Sequence, residues 1–310
     1  MIADYAWLLS PAALFVLGLC IGSFLNVVIH RLPLMMERQW FGDAAAQLAE
    51  SEPVQKIAAL GKPEADKLAS AASALVKKLE ALPALTLSKP RSRCPHCGHQ
   101  LAWHENVPLL GWLRLGGRCA KCKAPISKRY PLIELTTGLM FAALSWRFGA
   151  QPTTLLWCAF AATLLALAAI DWDTTLLPDS LNQPLLWAGL LASHLGWTLV
   201  PMHEALAGAL VGYLSLWSVY WVFKLATGKE GMGYGDFKLL AALGAWLGWK
   251  MVLPIVLGAS VIGAMVGIGM KMSSALREGR YVPFGPFLAG GGFVVLFAGS
   301  ERVLGWLGWV

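Results

Sequence analysis

The chain has 310 residues, of which 57% are hydrophobic and only 14% are charged, and its mean hydropathy is +0.58. A soluble domain carries about one quarter charged residues, so this composition excludes an ordinary soluble protein as well as disordered, collagen-like and disulfide-stapled chains. Because a helix of roughly 20 apolar residues spans a bilayer, we expect an all-α polytopic membrane protein. The net charge of +7 could indicate nucleic acid, but membrane proteins also collect Lys and Arg on their cytoplasmic side.

The first predicted element is an apolar helix over residues 7–29. We expect it to be a retained membrane span, because the preceding MIADYA contains an acid and no Lys or Arg and is a poor start for a signal peptide. A polar region, 31–130, follows and holds 16 of the 25 Lys and Arg residues. Within it, 43–82 is rich in Ala, Lys and Glu and predicts one or two surface helices, interrupted near Pro53 and Pro63.

Seven further spans are predicted after residue 130, which makes about eight transmembrane helices in all. Lys and Arg decide the orientation. If 31–130 is cytoplasmic, 22 basic residues fall on or near that side and three, Arg147, Lys250 and Arg302, on the other. This asymmetry accounts for the net charge, so we expect the lipid bilayer, and no nucleic acid, as a partner. The seven spans are 131–149, 153–171, 183–200, 205–226, 237–249, 252–270 and 287–309.

Four cysteines in the polar region form two C-x2-C pairs separated by 21 residues. Such pairs can present four thiolates tetrahedrally to Zn²⁺, and a site closed by four thiolates is structural rather than catalytic. A cytosolic location keeps thiols reduced and favours a metal, although two disulfides or free thiols remain the alternative. The predicted zinc ligands are Cys94, Cys97, Cys119 and Cys122. The neighbouring His96, His99 and His104 are interpreted as exposed ribbon histidines and not as ligands.

Two acids after residue 130 invite a functional interpretation, because ionisable groups at membrane depth are costly. Asp171 ends a long apolar run and opens DWDTTLLPD, where Pro178 indicates the turn out of the helix. Asp236 closes GMGYGD, and the apolar run after it has only 13 residues. That run covers roughly 20 Å of a core of about 30 Å, so we expect GMGYGD to lie within the bilayer and Asp236 to face water there. The alternative is a simple helix cap in a cytoplasmic loop.

Two carboxyl groups that meet in a wet cavity would share one proton. One can then take a proton from water while the other protonates a carbonyl, which is the chemistry of aspartic proteases. We therefore predict Asp171 and Asp236 as a catalytic pair, with Asp173 and Asp179 as reserve candidates for the first acid.

With these residues in view, the chain resembles the bacterial type IV prepilin peptidases, which are bifunctional leader peptidases and N-methyltransferases of the GxGD class of intramembrane aspartic proteases. The resemblance covers the chain from end to end in the family's order. It rests on GSFLNVVIHRLP (22–33), the two cysteine pairs, DWDTTLLPD (171–179), GMGYGDFKLL (231–240) and PFGPFLAGG (283–291).

The resemblance implies catalytic roles for Asp171 and Asp236 and zinc binding by the four cysteines. It also implies a first span in 1–30, a zinc-ribbon-like cytoplasmic domain in 31–130 with a variable insertion at 43–82, and a transmembrane peptidase domain in 131–310. The cytoplasmic domain would serve S-adenosylmethionine as the methyl donor. Glu37 and Gly117, which lie in family-like local sequence, are the predicted cofactor contacts.

The implied substrates are prepilins and pseudopilins, cleaved after a glycine at the cytoplasmic face of the bacterial inner membrane and then methylated on the new N-terminal residue. The implied partners are the pilus or type II secretion assembly machinery. Two other hypotheses stay open from the residues alone. One is a transporter whose intramembrane acids carry protons or cations, and the other is a membrane-anchored zinc scaffold without a reaction.

Three polar residues of the first span, Ser23, Asn26 and His30, share one helix face. They predict either a polar face toward the active cavity or, with slightly more weight, hydrogen bonds between helices. The segment PFGPFLAGG either approaches the substrate carbonyl or only begins the last span.

Overall fold

The computed structural model describes residues 7–273 and 282–309, and within these ranges it forms α-helices and no continuous strand. The N-terminal MIADYA and the basic residues Arg277 and Arg280, which entered the predicted orientation, lie outside the described residues. The helices are α1 Pro11–Leu48, α2 Ser51–Ala58, α3 Lys62–Glu80, α4 Leu110–Arg114, α5 Arg129–Phe148, α6 Thr153–Thr174, α7 Asp179–His194, α8 Met202–Thr227, α9 Tyr234–Leu247, α10 Val252–Met272, α11 Gly285–Ala298 and α12 Ser300–Trp306.

The predicted class, a helical membrane protein, is confirmed at the coarse level. Within the described ranges, four helical stretches are long and apolar enough to cross a membrane, or five if the bent pair α11 and α12 counts as one broken span. Eight spans are therefore not confirmed. The four stretches are Pro11–Leu48, Thr153–Thr174, Met202–Thr227 and Trp249–Met272.

The last predicted span, 287–309, is not one straight helix. It breaks at Gly299, whose φ of +94° ends α11, and α12 continues at 109° to it. A residue with positive φ cannot continue a right-handed helix. The polar Ser300 and Glu301 directly after this glycine begin the second piece.

The first helix is longer than its apolar part. The membrane span was predicted to end near residue 29, and α1 continues beyond that point through Pro33 to Leu48. A change from apolar to polar side chains does not interrupt backbone hydrogen bonds, so it does not by itself end a helix. The predicted interruptions near Pro53 and Pro63 are confirmed, because the chain breaks before α2 and before α3. Each proline lies in the first turn of the new helix, where a helix needs no N–H donor.

The chain divides into two compact units. The first comprises Met1–Ile29, Pro108–Leu110 and Ser127–Val310, and the second comprises His30–Val107 and Gly111–Ile126. The predicted functional boundaries after residues 30 and 130 stay predictions.

In the first unit, small residues allow helices to pack closely. A Cβ built on Gly18 would lie 2.7 Å from the Cα of Gly138 on α5, and one built on Gly22 would lie 2.7 Å from the Cα of Glu134. The α1 and α5 backbones are therefore in direct contact, as small residues permit between membrane helices. Asn26 adds a hydrogen bond of 3.1 Å from its amide nitrogen to the carbonyl of Tyr130.

The centre of the first unit is an apolar core that positions the candidate acids. Helix α11 packs against α6, α9 and α10, and α9 packs against α7 and α8. Several leucines on α6 and α9 are completely buried there: Leu164, Leu167, Leu239, Leu240 and Leu243.

In the second unit, two arginines of α1 donate hydrogen bonds to backbone carbonyls at and after the end of the Ala/Lys-rich insertion. The guanidinium of Arg38 donates to the carbonyl oxygens of Leu79 in the last turn of α3 and of Leu82 and Pro83 just after it. Arg31 donates to the carbonyl of Thr86 at 3.0 Å. The last carbonyls of a helix lack partners within the helix, so Arg38 stabilises the end of α3.

Candidate functional site

Asp171 lies in the last turn of α6 and is 4% exposed. Its Oδ2 accepts a hydrogen bond of 2.9 Å from the backbone N–H of Gly285, the first residue of α11. The apolar run of α6 brings this acid into the core, and the neighbouring helix supplies its donor. The segment PFGPFLAGG therefore begins a helix and also contacts a candidate acid.

Asp236 lies in the first turn of α9 and is 7% exposed. The alternative of a simple helix cap is wrong, since the N-cap is Gly233 and Asp236 follows three residues later. Its Oδ1 is buried and has no hydrogen-bond partner among the described residues. The fully buried Asn182 on α7 donates from its amide to the carbonyl of Gly235 at 3.2 Å, directly beside the acid.

The structure brings Asp171 and Asp236 together, although 65 positions separate them along the chain (236 − 171). Their carboxyl groups are close enough for their charges to repel each other. Leu177, in the turn between α6 and α7, contacts both sides of the site. A Cβ built on Gly235 would lie 2.7 Å from the Cβ of Leu177, and one built on Gly285 would lie 3.3 Å from its Cδ1.

The reserve acids form ion pairs instead. Asp173 pairs with Arg129, and both carboxylate oxygens of Asp179 accept from the Lys238 ammonium at 2.7 Å. The side chains of these two acids are 34% and 58% exposed. They are much more exposed than Asp171 and Asp236, so their surroundings are not those of a buried pair.

The four predicted zinc ligands meet in the second unit. Their Sγ atoms all lie within 4.8 Å of one another, and none of the four is in a disulfide. The Sγ atoms of Cys94 and Cys122 are 3.7 Å apart, and those of Cys97 and Cys119 are 3.9 Å apart. Tetrahedral Zn²⁺ with bonds of about 2.3 Å requires sulfur atoms about 3.8 Å apart. The donor set therefore fits the metal in number, element and spacing.

The two halves of the cysteine cluster repeat one backbone pattern 25 positions apart. The N–H of Cys94 donates to the carbonyl of His99, and the N–H of Cys119 donates to that of Ala124. Gly98 and Lys123 occupy the same left-handed position after each pair, with φ of +69° and +60°. Each half is thus a tight turn that aims two thiols inward. Backbone N–H groups of Cys122 and Lys121 also lower the pKa of the Cys119 thiol to about 6, which favours the thiolate that binds metal.

The neighbouring histidines do not join the cluster of possible metal ligands in the described chain. His96 and His104 are exposed. His99 lies 3.1 Å from Glu105, and the pKa of Glu105 is lowered, mainly by a hydrogen bond from the backbone N–H of Ala102 and also by His99.

The two predicted cofactor residues lie in the second unit. Glu37 is exposed on α1. Gly117 is buried with φ of +68°, and a Cβ there would lie 2.7 Å from the ring of Trp112. Packing against this ring therefore accounts for the glycine.

Sequence reasoning missed Gly285 and Asn182 as neighbours of the acids. PFGPFLAGG was a signal for the first, whereas Asn182 lies in the polar stretch DSLNQ before a predicted span and had no distinct signal. Of the polar face on α1, Asn26 makes the expected hydrogen bond between helices.

The comparisons with known proteins agree with this arrangement. The family model described as Bacterial Peptidase A24 N-terminal domain matches residues 16–148, and the Type IV leader peptidase family matches residues 158–268. No solved structure matches the chain.

Similar relatives carry the name prepilin leader peptidase/N-methyltransferase. The protein of Stutzerimonas stutzeri is 47% identical over 292 residues, which cover 94% of this chain and 92% of the relative. That of Pseudomonas aeruginosa is 46% identical, covering 92% and 89%, and that of Burkholderia pseudomallei strain 1026b is 48% identical, covering 93% and 85%.

Together, the helical membrane fold and the matched families define a membrane-bound peptidase. The chain belongs to the prepilin leader peptidase/N-methyltransferase family. The family is one of enzymes, so neither a transporter nor a scaffold without a reaction has support in these comparisons.

Proposed function

We propose that this protein removes the leader peptide of type IV prepilins or pseudopilins and then methylates the new N-terminal amine with S-adenosylmethionine. The names and coverage of the relatives support both activities. The observation that carries the peptidase proposal is the meeting of two buried acids, Asp171 and Asp236, from separate helices.

In this proposal the two acids catalyse hydrolysis together. One carboxylate removes a proton from a water molecule, and the other carboxyl group donates a proton to the scissile carbonyl as the water oxygen attacks. The tetrahedral intermediate then collapses, the peptide C–N bond breaks, and the leaving amine takes a proton. Each step moves a proton between the pair, the water and the substrate, and no covalent enzyme intermediate forms.

The cysteine cluster would hold Zn²⁺ through Cys94, Cys97, Cys119 and Cys122. With four thiolates the coordination is complete, so the metal supplies folding energy to this part of the chain and no open position for substrate. Sulfur atoms at the spacing that a tetrahedral site requires support this assignment.

Glu37 and Gly117 are the proposed contacts to the methyl donor. An exposed carboxylate on α1 can accept hydrogen bonds from a cationic ligand such as S-adenosylmethionine. Support for methyl transfer itself comes from the names of the relatives.

We further propose that α5, α7, α9 and α11 lie in the bilayer with the four longer stretches, which gives eight membrane elements. These four helices have 20, 16, 14 and 14 residues. The concentration of Lys and Arg in 31–130 supports a cytoplasmic location for that region and for the active site in the inner membrane. Reporter fusions after residues 90, 150 and 228 should report cytoplasm, periplasm and cytoplasm, respectively.

The function is tested with purified protein in proteoliposomes and a synthetic prepilin. The substrate has a basic leader, a glycine, a phenylalanine and an apolar helix, and the methyl donor carries a label. Cleavage and methyl incorporation are followed separately. We expect both in the parent enzyme, with cleavage abolished and methylation of a pre-cleaved peptide retained in Asp236→Asn. Full cleavage by that variant would contradict the proposed mechanism.

A further inference from the structure

Gly285 provides a specific support for one of the two acids. We propose that Gly285 is a positioning residue, whose backbone N–H and missing side chain together fix the Asp171 carboxyl group in the orientation required for cleavage. This inference rests on the proposed peptidase function and goes beyond it, because it assigns a role to a residue outside the acid pair.

The first observation is the hydrogen bond. The N–H of Gly285 donates to Oδ2 of Asp171 over 2.9 Å, in a buried environment, between residues 114 positions apart. Gly285 is the first residue of α11, where backbone N–H groups have no acceptor within the helix. The donor is therefore available to the acid without loss of a helical hydrogen bond.

The second observation is the space beside the acid. A Cβ built on Gly285 would lie 2.6 Å from Oδ2 and 3.2 Å from Cγ of Asp171. Gly285 does not have the positive φ that favours glycine. The backbone conformation therefore does not require a glycine here. A side chain is excluded instead by the Asp171 carboxyl group, whose atoms are the nearest to the built Cβ.

The contact between Gly285 and Asp171 is also favourable electrostatically. Asp171 lies at the C-terminal end of α6, where the helix dipole is unfavourable for a carboxylate. The N-terminal end of α11 carries the opposite partial charge and reaches the acid through Gly285. Asp236 lies in the first turn of its own helix α9, so each acid is next to one helix N-terminus.

The test compares three alanine variants on the same helix. Gly285→Ala must displace Oδ2 by at least 0.4 Å (3.0 − 2.6 Å) to reach the shortest tolerated contact. In Gly292→Ala the new Cβ would lie at the same distance, 2.6 Å, from its nearest atom, but that atom is Cδ2 of Leu243. Gly290→Ala points into open space. The second variant controls for crowding and the third for the substitution itself.

Steady-state cleavage of the synthetic prepilin gives kcat and KM, and methylation of a pre-cleaved peptide reports an activity that does not use the acids. We expect Gly285→Ala to lower kcat about 10- to 100-fold, as sub-ångström to ångström misplacement does, with KM and methylation within about twofold of the parent. Gly292→Ala and Gly290→Ala should keep kcat within about twofold. The KM-against-kcat split separates positioning from a purely structural role.

Three results would overturn the proposal. Parental kcat in Gly285→Ala would show that the contact is not needed, and an equal loss in Gly292→Ala would show that only packing matters. Loss of both cleavage and methylation in Gly285→Ala would show that Gly285 is needed for folding and would reject a role confined to the orientation of Asp171. A parent enzyme that cleaves no prepilin would instead reject the proposed function, and this inference with it.

Discussion

The close contact between α8 and α9 predicts a large effect from a single added methyl group. Helices α8 and α9 meet at Gly208 and Gly244. A Cβ on Gly244 would lie 2.1 Å from the carbonyl oxygen of Gly208, and a Cβ on Gly208 would lie 2.2 Å from that of Gly244. Both obstacles are backbone atoms, which cannot rotate away as a side chain can.

The magnitude of the change follows from this geometry. In Gly244→Ala the two helices must separate locally by at least 0.9 Å (3.0 − 2.1 Å). Overpacking in a well-packed core costs about 1–3 kcal/mol, so we expect the variant to unfold at a lower temperature. Since Asp236 lies in the first turn of α9, we also expect the cleavage rate to fall by about tenfold.

Thermal unfolding and prepilin cleavage in the same detergent provide the measurements. Gly258→Ala on α10 is the matched control, because a Cβ there meets no atom of the described chain within 4 Å. Gly208→Ala combined with Gly244→Ala should cost less than the sum of the two, since the first substitution already separates the helices. Equal unfolding temperatures for Gly244→Ala and Gly258→Ala would refute the reasoning.

Three further predictions concern the metal, the α7 contact and pH. Metal analysis should find one Zn²⁺ per chain, and Cys97→Ser should lower both this content and the resistance of the 31–130 region to protease. A parent protein that resists protease equally well with and without the metal would contradict a structural role for zinc. Asn182→Leu removes the hydrogen bond to the carbonyl of Gly235, which precedes Asp236, so kcat for cleavage should fall with KM nearly unchanged. An unaltered kcat would show that Asn182 does not help to position Asp236. The pKa of Glu230 is lowered from its ordinary value of 4.5, first by its hydrogen bond from Lys224, so Glu230→Gln should slightly lower the unfolding temperature at pH 7. The difference should begin to shrink as the pH falls past 4.5 and should vanish once the pH is below the lowered pKa; a difference that grows on acidification would have the wrong sign.

Local patterns in the sequence predicted the elements well wherever one physical cause dominates. Apolar runs predicted the helices from α5 to α10 with ends shifted by a few residues, because burial of apolar surface in lipid or protein decides these segments. The cysteine pairs predicted a four-thiol cluster, because two tight turns of fixed geometry determine where their thiols point.

Helix ends were predicted less well, because hydrophobicity and backbone hydrogen bonding are separate properties. Polarity changes near residue 30, but α1 continues to Leu48. The reverse occurs near Gly299, where an apolar stretch is divided by a residue with positive φ. The polar residues after this glycine were the available signal of the break.

The surroundings of the acids depend on tertiary packing, which a local pattern does not contain. Membrane cost and the chemistry of two carboxyl groups in one cavity indicated Asp171 and Asp236, and the resemblance indicated the same pair. Gly285 donates a hydrogen bond to Asp171, and Asn182 donates one to the carbonyl of Gly235 just before Asp236. Both contacts follow only from how α11 and α7 pack.

The most direct test of the central claim is a double-mutant cycle on single-turnover cleavage with Asp171→Asn, Asp236→Asn and the variant that combines both. Two acids that work as a unit should each lower the rate by about 10⁴-fold or more when changed alone, and the combined variant should be no slower than the slower single variant. Losses that multiply in the combined variant, or cleavage at the parental rate by either single variant, would contradict a shared catalytic role.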